Sequence, residues 1–335
     1  MENSKVKILV VDDSSVSRSL MTHLLSINPL FEVIGTAENG EEALEFIQKT
    51  PPDLVFTDIV MPKMNGFELT KKIMEKHPLP VIVVSGIYSR EEIKKGFEAI
   101  EAGALSILEK PKGLNDAQFI ETIRFMGDTL EIMLKMMPER DREKPILAQV
   151  NEQMVRSEPI EAIAIGASLG GPKTLRSILS ELSSNVKSSI FIVQHISPGF
   201  IEGFVDWLKS YSNLPVTMAV DFEKVQPGHV YVAPDGFHME ITTQRTISLV
   251  KDPEPGHYVP SAARLFRSVA NAYGNRGMGI RLTGASKDGI EELKYIKEKG
   301  GVTVAERSSM KFDGEETATV ESIIQLLKGV VIVSP

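Results

Sequence analysis

Three short apolar runs in this 335-residue chain end on groups that could act together: Leu54-Val55-Phe56-Thr57 runs into Asp58, Ile8-Leu9-Val10-Val11 into Asp12 and Asp13, and Ile107-Leu108-Glu109 into Lys110. Apolar runs of this length read as strands, and an open parallel sheet gathers its ligand-binding groups at the carboxyl ends of the strands. Clustered carboxylates repel one another, so the set asks for a hard divalent cation with oxygen ligands, and Mg2+ fits if phosphate completes its shell. That points to phosphoryl chemistry. One such Asp alone reads as a helix N-cap or turn residue; the set with Lys110 carries the reading.

A second set lies further on. The strand Ile163-Ala164-Ile165 leads into Gly166-Ala167-Ser168-Leu169-Gly170-Gly171-Pro172, and residues 173–182 have helical spacing. A G-x-S-x-G turn between strand and helix exposes the serine hydroxyl, and the helix start brings free N–H groups near developing negative charge. Alone, the turn fits a phosphate-binding loop equally well. Its dinucleotide version fits poorly, because Ser168 stands where backbone must approach pyrophosphate. The strand 189–193 ends on Gln194-His195, and the strand 279–282 leads to Asp288-Gly289. His195 is then a plausible base and Asp288 could orient it, so nucleophile, base and acid would come from three strand ends. Taken singly, His195 reads as a core or capping histidine and Asp288 as an N-cap. His23, His77, His229 and His257 show no metal-ligand spacing and read as surface or loop residues, whereas His238, near the turn Pro234-Asp235-Gly236, could line the cleft.

The elements that must position these groups alternate in type. Over residues 1–128, strands at 6–11, 31–36, 54–57, 81–85 and 104–108 alternate with helices at 15–26, 40–49, 66–76, 90–101 and 117–130, which predicts an α/β unit of five parallel strands and five helices. Residues 129–158 carry the mixed-charge run Glu139-Arg140-Asp141-Arg142-Glu143-Lys144 and read as a linker. Residues 159–335 open a second doubly wound α/β unit, with strands at 162–165, 189–193, 230–233, 279–282, 302–305 and 330–333. The stretch 230–250 reads as a hairpin about Pro234-Asp235-Gly236, so this sheet is expected to be mixed.

Length and a 42% hydrophobic content favour two cores. A net charge of -8 opposes nucleic-acid phosphates, and the second half has no basic helix, so no nucleic-acid partner is expected. The absence of cysteine excludes disulfides, thiolate metal sites and a cysteine nucleophile. No apolar stretch approaches the ~20 residues that span a bilayer, so a cytoplasmic protein without membrane insertion is the expectation.

The spacing from Asp12-Asp13 through Asp58-x-x-Met61-Pro62-x-x-x-Gly66 to Ser85 and Lys110-Pro111 resembles the receiver domains of bacterial response regulators, whose fold is flavodoxin-like. The resemblance implies that Asp58 accepts a phosphoryl group, that Asp13, Asp58 and the Val60 carbonyl hold Mg2+ with Asp12 supporting it through water, that Lys110 neutralises phosphoryl oxygen, and that Ser85 moves to bond the phosphorylated aspartate. Receivers often carry an aromatic residue where Ile107 stands.

Together with the receiver, the motifs Gly166-Ala167-Ser168-x-Gly170-Gly171, Gln194-His195, Pro198-Gly199-Phe200, His238-Met239, Pro260-Ser261, Leu282-Thr283-Gly284 and Asp288-Gly289 resemble the chemotaxis protein-glutamate methylesterase (CheB) family. That implies attack by Ser168 on glutamate methyl esters of chemoreceptors, with His195 as base, Asp288 steadying the imidazolium, no cofactor in the esterase unit, and deamidation of receptor glutamines as a second activity. The implied partners are methylated chemoreceptor cytoplasmic domains and a chemotaxis histidine kinase as phosphodonor. The expectation is that the unphosphorylated receiver restrains the esterase. Leu169, Ala285-Ser286-Lys287 and the run from Glu306 to Thr317 depart from the family pattern; Leu169 and Ala285 are expected to line the cleft. These departures motivate an alternative, a phosphorylation-controlled binding module without catalysis.

Overall fold

The structure, a computed structural model, describes residues 5–86, 90–124, 126, 159–252, 258–283, 287–307 and 317–331. The expected linker at 129–158 and the cleft position Ala285 lie outside the described residues. The chain divides into two compact units, one N-terminal and one C-terminal.

In the N-terminal unit, β1 (Val6–Val11), β2 (Phe31–Ala37), β3 (Leu54–Asp58), β4 (Val81–Ser85) and β5 (Ser106–Glu109) form one sheet in the order β2-β1-β3-β4-β5. All neighbours are parallel. Chain order reverses between β1 and β3, the place where sheets of this winding bind ligands. Helices Ser15–Leu25, Gly40–Lys49, Gly66–Lys76 and Arg90–Ala102 alternate with the strands, and residues 117–124 are helical as expected. Asn39 and Asn65 cap two of them by accepting backbone N–H groups of the first turn. The strands β3 and β4 are buried along their whole length, which is why they read as continuous apolar runs rather than alternating ones.

In the C-terminal unit, seven strands lie in the order β14-β13-β12-β6-β7-β9-β8. They are β6 (Ala162–Ala167), β7 (Ser189–Gln194), β8 (Val216–Met218), β9 (Val230–Val232), β12 (Gly277–Arg281), β13 (Val302–Glu306) and β14 (Thr317–Ala318). The sheet is parallel throughout, not mixed. The hairpin is present but displaced: β10 (His238–Ile241) pairs antiparallel with β11 (Ile247–Val250) as a separate two-stranded sheet, while β9 stays in the main one. Pro234-Asp235-Gly236 therefore carries the chain between sheets instead of folding β9 onto β10; turn residues reverse or redirect a chain without dictating which strand pairs next. The expected last strand at 330–333 is also overturned in part. The helix Val320–Val331 runs through its first two residues, and its buried Ile323, Leu326 and Leu327 follow helical spacing.

The helix Ala262–Tyr273 packs on β6, β12 and β10. It buries Leu265, Phe266 and Val269 in a core shared with Phe191, Tyr231 and Met239.

Candidate active site

Strand ends bring the N-terminal acids together. Asp58 is the last residue of β3, and Asp12 and Asp13 follow β1. Each offers a carboxylate oxygen within 4.8 Å of the others. Asp12 and Asp58 are buried while Asp13 is exposed. Lys110, just beyond β5, bridges Asp12 Oδ2 at 2.7 Å and Asp58 Oδ2 at 2.8 Å. Burial pushes the Asp58 carboxyl up, and contact with Lys110 pulls the other way without overcoming it. Burial also opposes the Lys110 charge, but hydrogen bonds to Asp12 and Asp58 outweigh it, so the ammonium is held charged. An all-oxygen, acid-rich cluster of this kind suits a hard cation such as Mg2+.

Gly66 completes the loop after Asp58. Its N–H donates to Ile59 O at 2.9 Å, and a Cβ there would lie 2.0 Å from the Asp58 carbonyl oxygen. Ser85 is buried, its Oγ donating to Gly86 O, and Val60 is exposed. Ile107 is buried in β5, so an aliphatic side chain fills the position where receivers often carry an aromatic one.

In the C-terminal unit, the three central strands β12, β6 and β7 are neighbours, and the second constellation follows their ends. Ser168 comes directly after β6 and His195 directly after β7; Asp288 lies in the loop after β12. All three line one small recess together with Arg281 and Ala262. His195 Nε2 is 3.1 Å from Asp288 Oδ2, and His195 Nδ1 is buried without a hydrogen-bond partner among the described residues. An ionised carboxylate only accepts, so the proton of a neutral ring sits on Nε2 and the lone pair on Nδ1. The Tyr258 ring stacks on the imidazole with centroids 4.6 Å apart and planes at 13°.

Asp288 is anchored from several sides. Ser261 Oγ donates to Oδ1 at 2.8 Å, Ala263 N donates to Oδ1 at 2.9 Å, and Ala262 N donates to Oδ2. Burial opposes its charge, but the His195 contact and the two backbone N–H groups prevail and hold the carboxyl below the usual range. Asp288 is thus both the partner of His195 and an N-terminal cap of the Ala262–Tyr273 helix, where a negative charge is favoured.

The serine loop is fixed by groups for which the sequence suggests no role. Gln194 is buried, and its Nε2 donates to Ser168 O at 2.9 Å and His195 O at 2.8 Å. The strand pairing ends with Ala167 opposite Gln194, so this side chain carries the cross-strand link one residue further. Thr283 accepts from Ser168 N at 3.3 Å, donates through Oγ1 to Leu169 O at 3.2 Å, and donates its own N–H to buried Glu306 at 2.6 Å. Gly170 turns the chain with φ of 78°, a left-handed conformation that favours glycine. The helix Gly171–Glu181 begins without a side-chain cap; Gly171 N donates to Ser168 O at 2.9 Å, and Pro172 has no N–H to offer.

Two expectations for the cleft meet different placements. Leu169 is buried, and it does not line the recess. His238 is 1% exposed in β10, with Nε2 3.1 Å from Asp252 Oδ2, so it is a core residue rather than a cleft wall. His229, expected at the surface, is partly buried, stacked on Tyr231 and bonded to Thr217.

The CheB methylesterase profile matches residues 163–325, and the response regulator receiver domain profile matches residues 8–124. A protein-glutamate methylesterase/protein-glutamine glutaminase of Syntrophus aciditrophicus is 42% identical over 308 residues, covering 90% of this chain and 88% of its own. One from Geobacter metallireducens is 42% identical over 309 residues, with the same coverage. The crystal structure of the Thermotoga maritima CheB methylesterase catalytic domain aligns with 51% of this chain and 90% of its own at 30% identity, with a TM-score of 0.43. The chain therefore belongs to the protein-glutamate methylesterase/protein-glutamine glutaminase family, with a receiver domain preceding a CheB-type methylesterase domain.

Proposed function

We propose that this protein is a phosphorylation-regulated protein-glutamate methylesterase that hydrolyses glutamate methyl esters on chemoreceptor cytoplasmic domains. The observation that carries it is the His195–Asp288 hydrogen bond inside a recess also lined by Ser168. Ser168 Oγ attacks the ester carbonyl and passes its proton to His195 Nδ1, the nitrogen facing away from Asp288. Methanol leaves with that proton; His195 then draws a proton from water, which attacks the acyl-serine, and returns it to Ser168 Oγ as the acyl bond breaks and the glutamate carboxylate is freed. Asp288 stays ionised and steadies the imidazolium. Backbone N–H groups of the turn that carries Ser168 supply oxyanion stabilisation, for which one lost donor costs ~2.7–4 kcal/mol. A glutamine amide follows the same route with ammonia as leaving group.

In the receiver, residues 1–128, Asp58 is the phosphoacceptor, and a chemotaxis histidine kinase is the phosphodonor. Asp12, Asp13, Asp58 and the Val60 carbonyl would hold Mg2+, which supplies charge neutralisation for the incoming phosphoryl group. Lys110 neutralises phosphoryl oxygen and Ser85 reads the modified Asp58. The linker 129–158 joins the receiver to the esterase unit, 159–335, which works without a cofactor in the cytoplasm. Methanol release from methylated receptor, measured with and without a small-molecule phosphodonor, tests this reading. Release should depend on Ser168 and rise with phosphorylation; release unchanged in Ser168→Ala would reject the catalytic assignment, whereas biological activity unchanged in Ser168→Ala, with partner binding lost in Asp58→Ala, would favour a binding module.

A further inference from the structure

Ser261 opens the helix Ala262–Tyr273 and caps it by accepting from Arg264 N. The backbone N–H of a capping residue has no partner within the helix; in a capping box, a Glu or Gln three residues on reaches back to take it. That position here is Arg264, whose guanidinium only donates and is engaged by Glu240 at 2.6 Å. The Ser261 N–H is taken instead by His238 Nδ1 at 3.1 Å. Because a backbone N–H can only donate, Nδ1 must be the unprotonated nitrogen, and the ring proton lies on Nε2, towards the Asp252 carboxylate 3.1 Å away. His238 is thus a buried neutral imidazole held in one tautomer by Asp252 on one side and the helix cap on the other.

The chain of bonds continues into the recess. Ser261 Oγ and the N–H groups of Ala262 and Ala263 all hold Asp288, and Asp288 holds His195. The backbone orientation at Ser261 aims all three donors at once. We infer that His238 is a positioning residue for the esterase reaction: by accepting from Ser261 N, it fixes the cap that holds the Asp288 carboxylate against His195. This rests on the esterase reading of Ser168, His195 and Asp288, and it gives work to a buried His–Asp pair that the mechanism otherwise leaves unused.

The test is steady-state methanol release by the full chain acting on methylated receptor cytoplasmic domain. His238→Leu should lower kcat on the order of tenfold, as loss of a supporting partner commonly does, with KM unchanged. His238→Asn, which places an acceptor where Nδ1 stands, should recover most of the loss. In an Asp288→Ala background, His238→Leu should reduce the residual rate no further, because the carboxylate it serves is gone. Wild-type kcat in His238→Leu would overturn the inference, as would a loss of equal size in the Asp288→Ala background, since a merely structural role is indifferent to Asp288. If His238→Leu does not fold, His238→Asn is compared with His238→Gln, which places its polar end nearer Nε2; equal kcat in these two overturns the inference. Release that is undiminished in Ser168→Ala strikes the esterase reading itself, whereas Ser168-dependent release with no His238 effect strikes this inference alone.

Discussion

Asp58 and Asp288 are both buried carboxyls whose ordinary values shift in opposite directions, and their surroundings explain why. Asp58 has Lys110 on one oxygen and Ile59 N on the other, with the Asp12 charge nearby, and burial prevails. Asp288 has an imidazole, a hydroxyl and two backbone N–H groups, and the donors prevail. A carboxyl raised in the folded state costs nothing below its unfolded value; the cost appears as pH rises through that value and is complete above the folded one. Asp58→Asn should therefore raise the thermal midpoint at neutral pH in metal-free buffer, with the gain closing as pH falls below the usual carboxylate range. For Asp288 the sign is opposite: its contribution is present above the unfolded value and is lost as pH falls through the lowered folded one. Asp288→Ala should cost about 1–3 kcal/mol at neutral pH, because several donors lose their acceptor, and denaturant unfolding at pH 7 and at strongly acid pH checks it. The residue types at these sites were readable because strand ends were. Gln194, Ser261 and Thr283 were visible as letters, but their roles depend on which backbone atoms stand opposite, and one sequence does not carry that information.

Elements decide which of those residues meet. Ser168, His195 and Asp288 are separated widely in sequence, yet β6, β7 and β12 are adjacent, so their carboxyl ends share one edge. The strand assignments that put them there came from continuous apolar runs, a signal that survives because these strands are buried on both faces. The hairpin forms one strand later than its turn residues suggest for a related reason: Pro234-Asp235-Gly236 marks a change of direction, and pairing partners are set by tertiary packing. Likewise, the β-branched Val330 and Val331 look like the start of a strand until the amphipathic spacing upstream is weighed. Close backbone approach is a further element-scale constraint. Gly66→Ala would set a Cβ 2.0 Å from Asp58 O, so the loop after β3 must move. Phosphorylation of Asp58 by a small phosphodonor should slow at least tenfold in that variant, a cost of about 1.4 kcal/mol or more in the barrier. Basal Ser168-dependent methanol release, carried by the other unit, should be retained.

At the scale of the whole molecule, two α/β units with separate chemistries are joined in one chain, and the proposed function requires that a charge change in the first alters the rate in the second. Phosphorylation of Asp58 turns a singly charged carboxylate into an acyl phosphate that carries roughly -1.5 to -2 of charge beside Asp12 and Asp13. In wild type, phosphodonor with Mg2+ should raise kcat for methanol release; in Asp58→Ala the rate should be the same with and without phosphodonor. A net charge of -8 further predicts no salt-sensitive DNA binding. The central claim is that a hydroxyl, an imidazole and a carboxylate act as one unit, and groups acting as a unit are strongly non-additive when removed. The measurement is kcat for methanol release from methylated receptor by Ser168→Ala, His195→Ala, Asp288→Ala and the triple variant. Ser168→Ala and His195→Ala should each fall as far as the triple variant, with Asp288→Ala falling less; losses that multiply across the three sites, or a Ser168→Ala rate equal to wild type, would contradict the account.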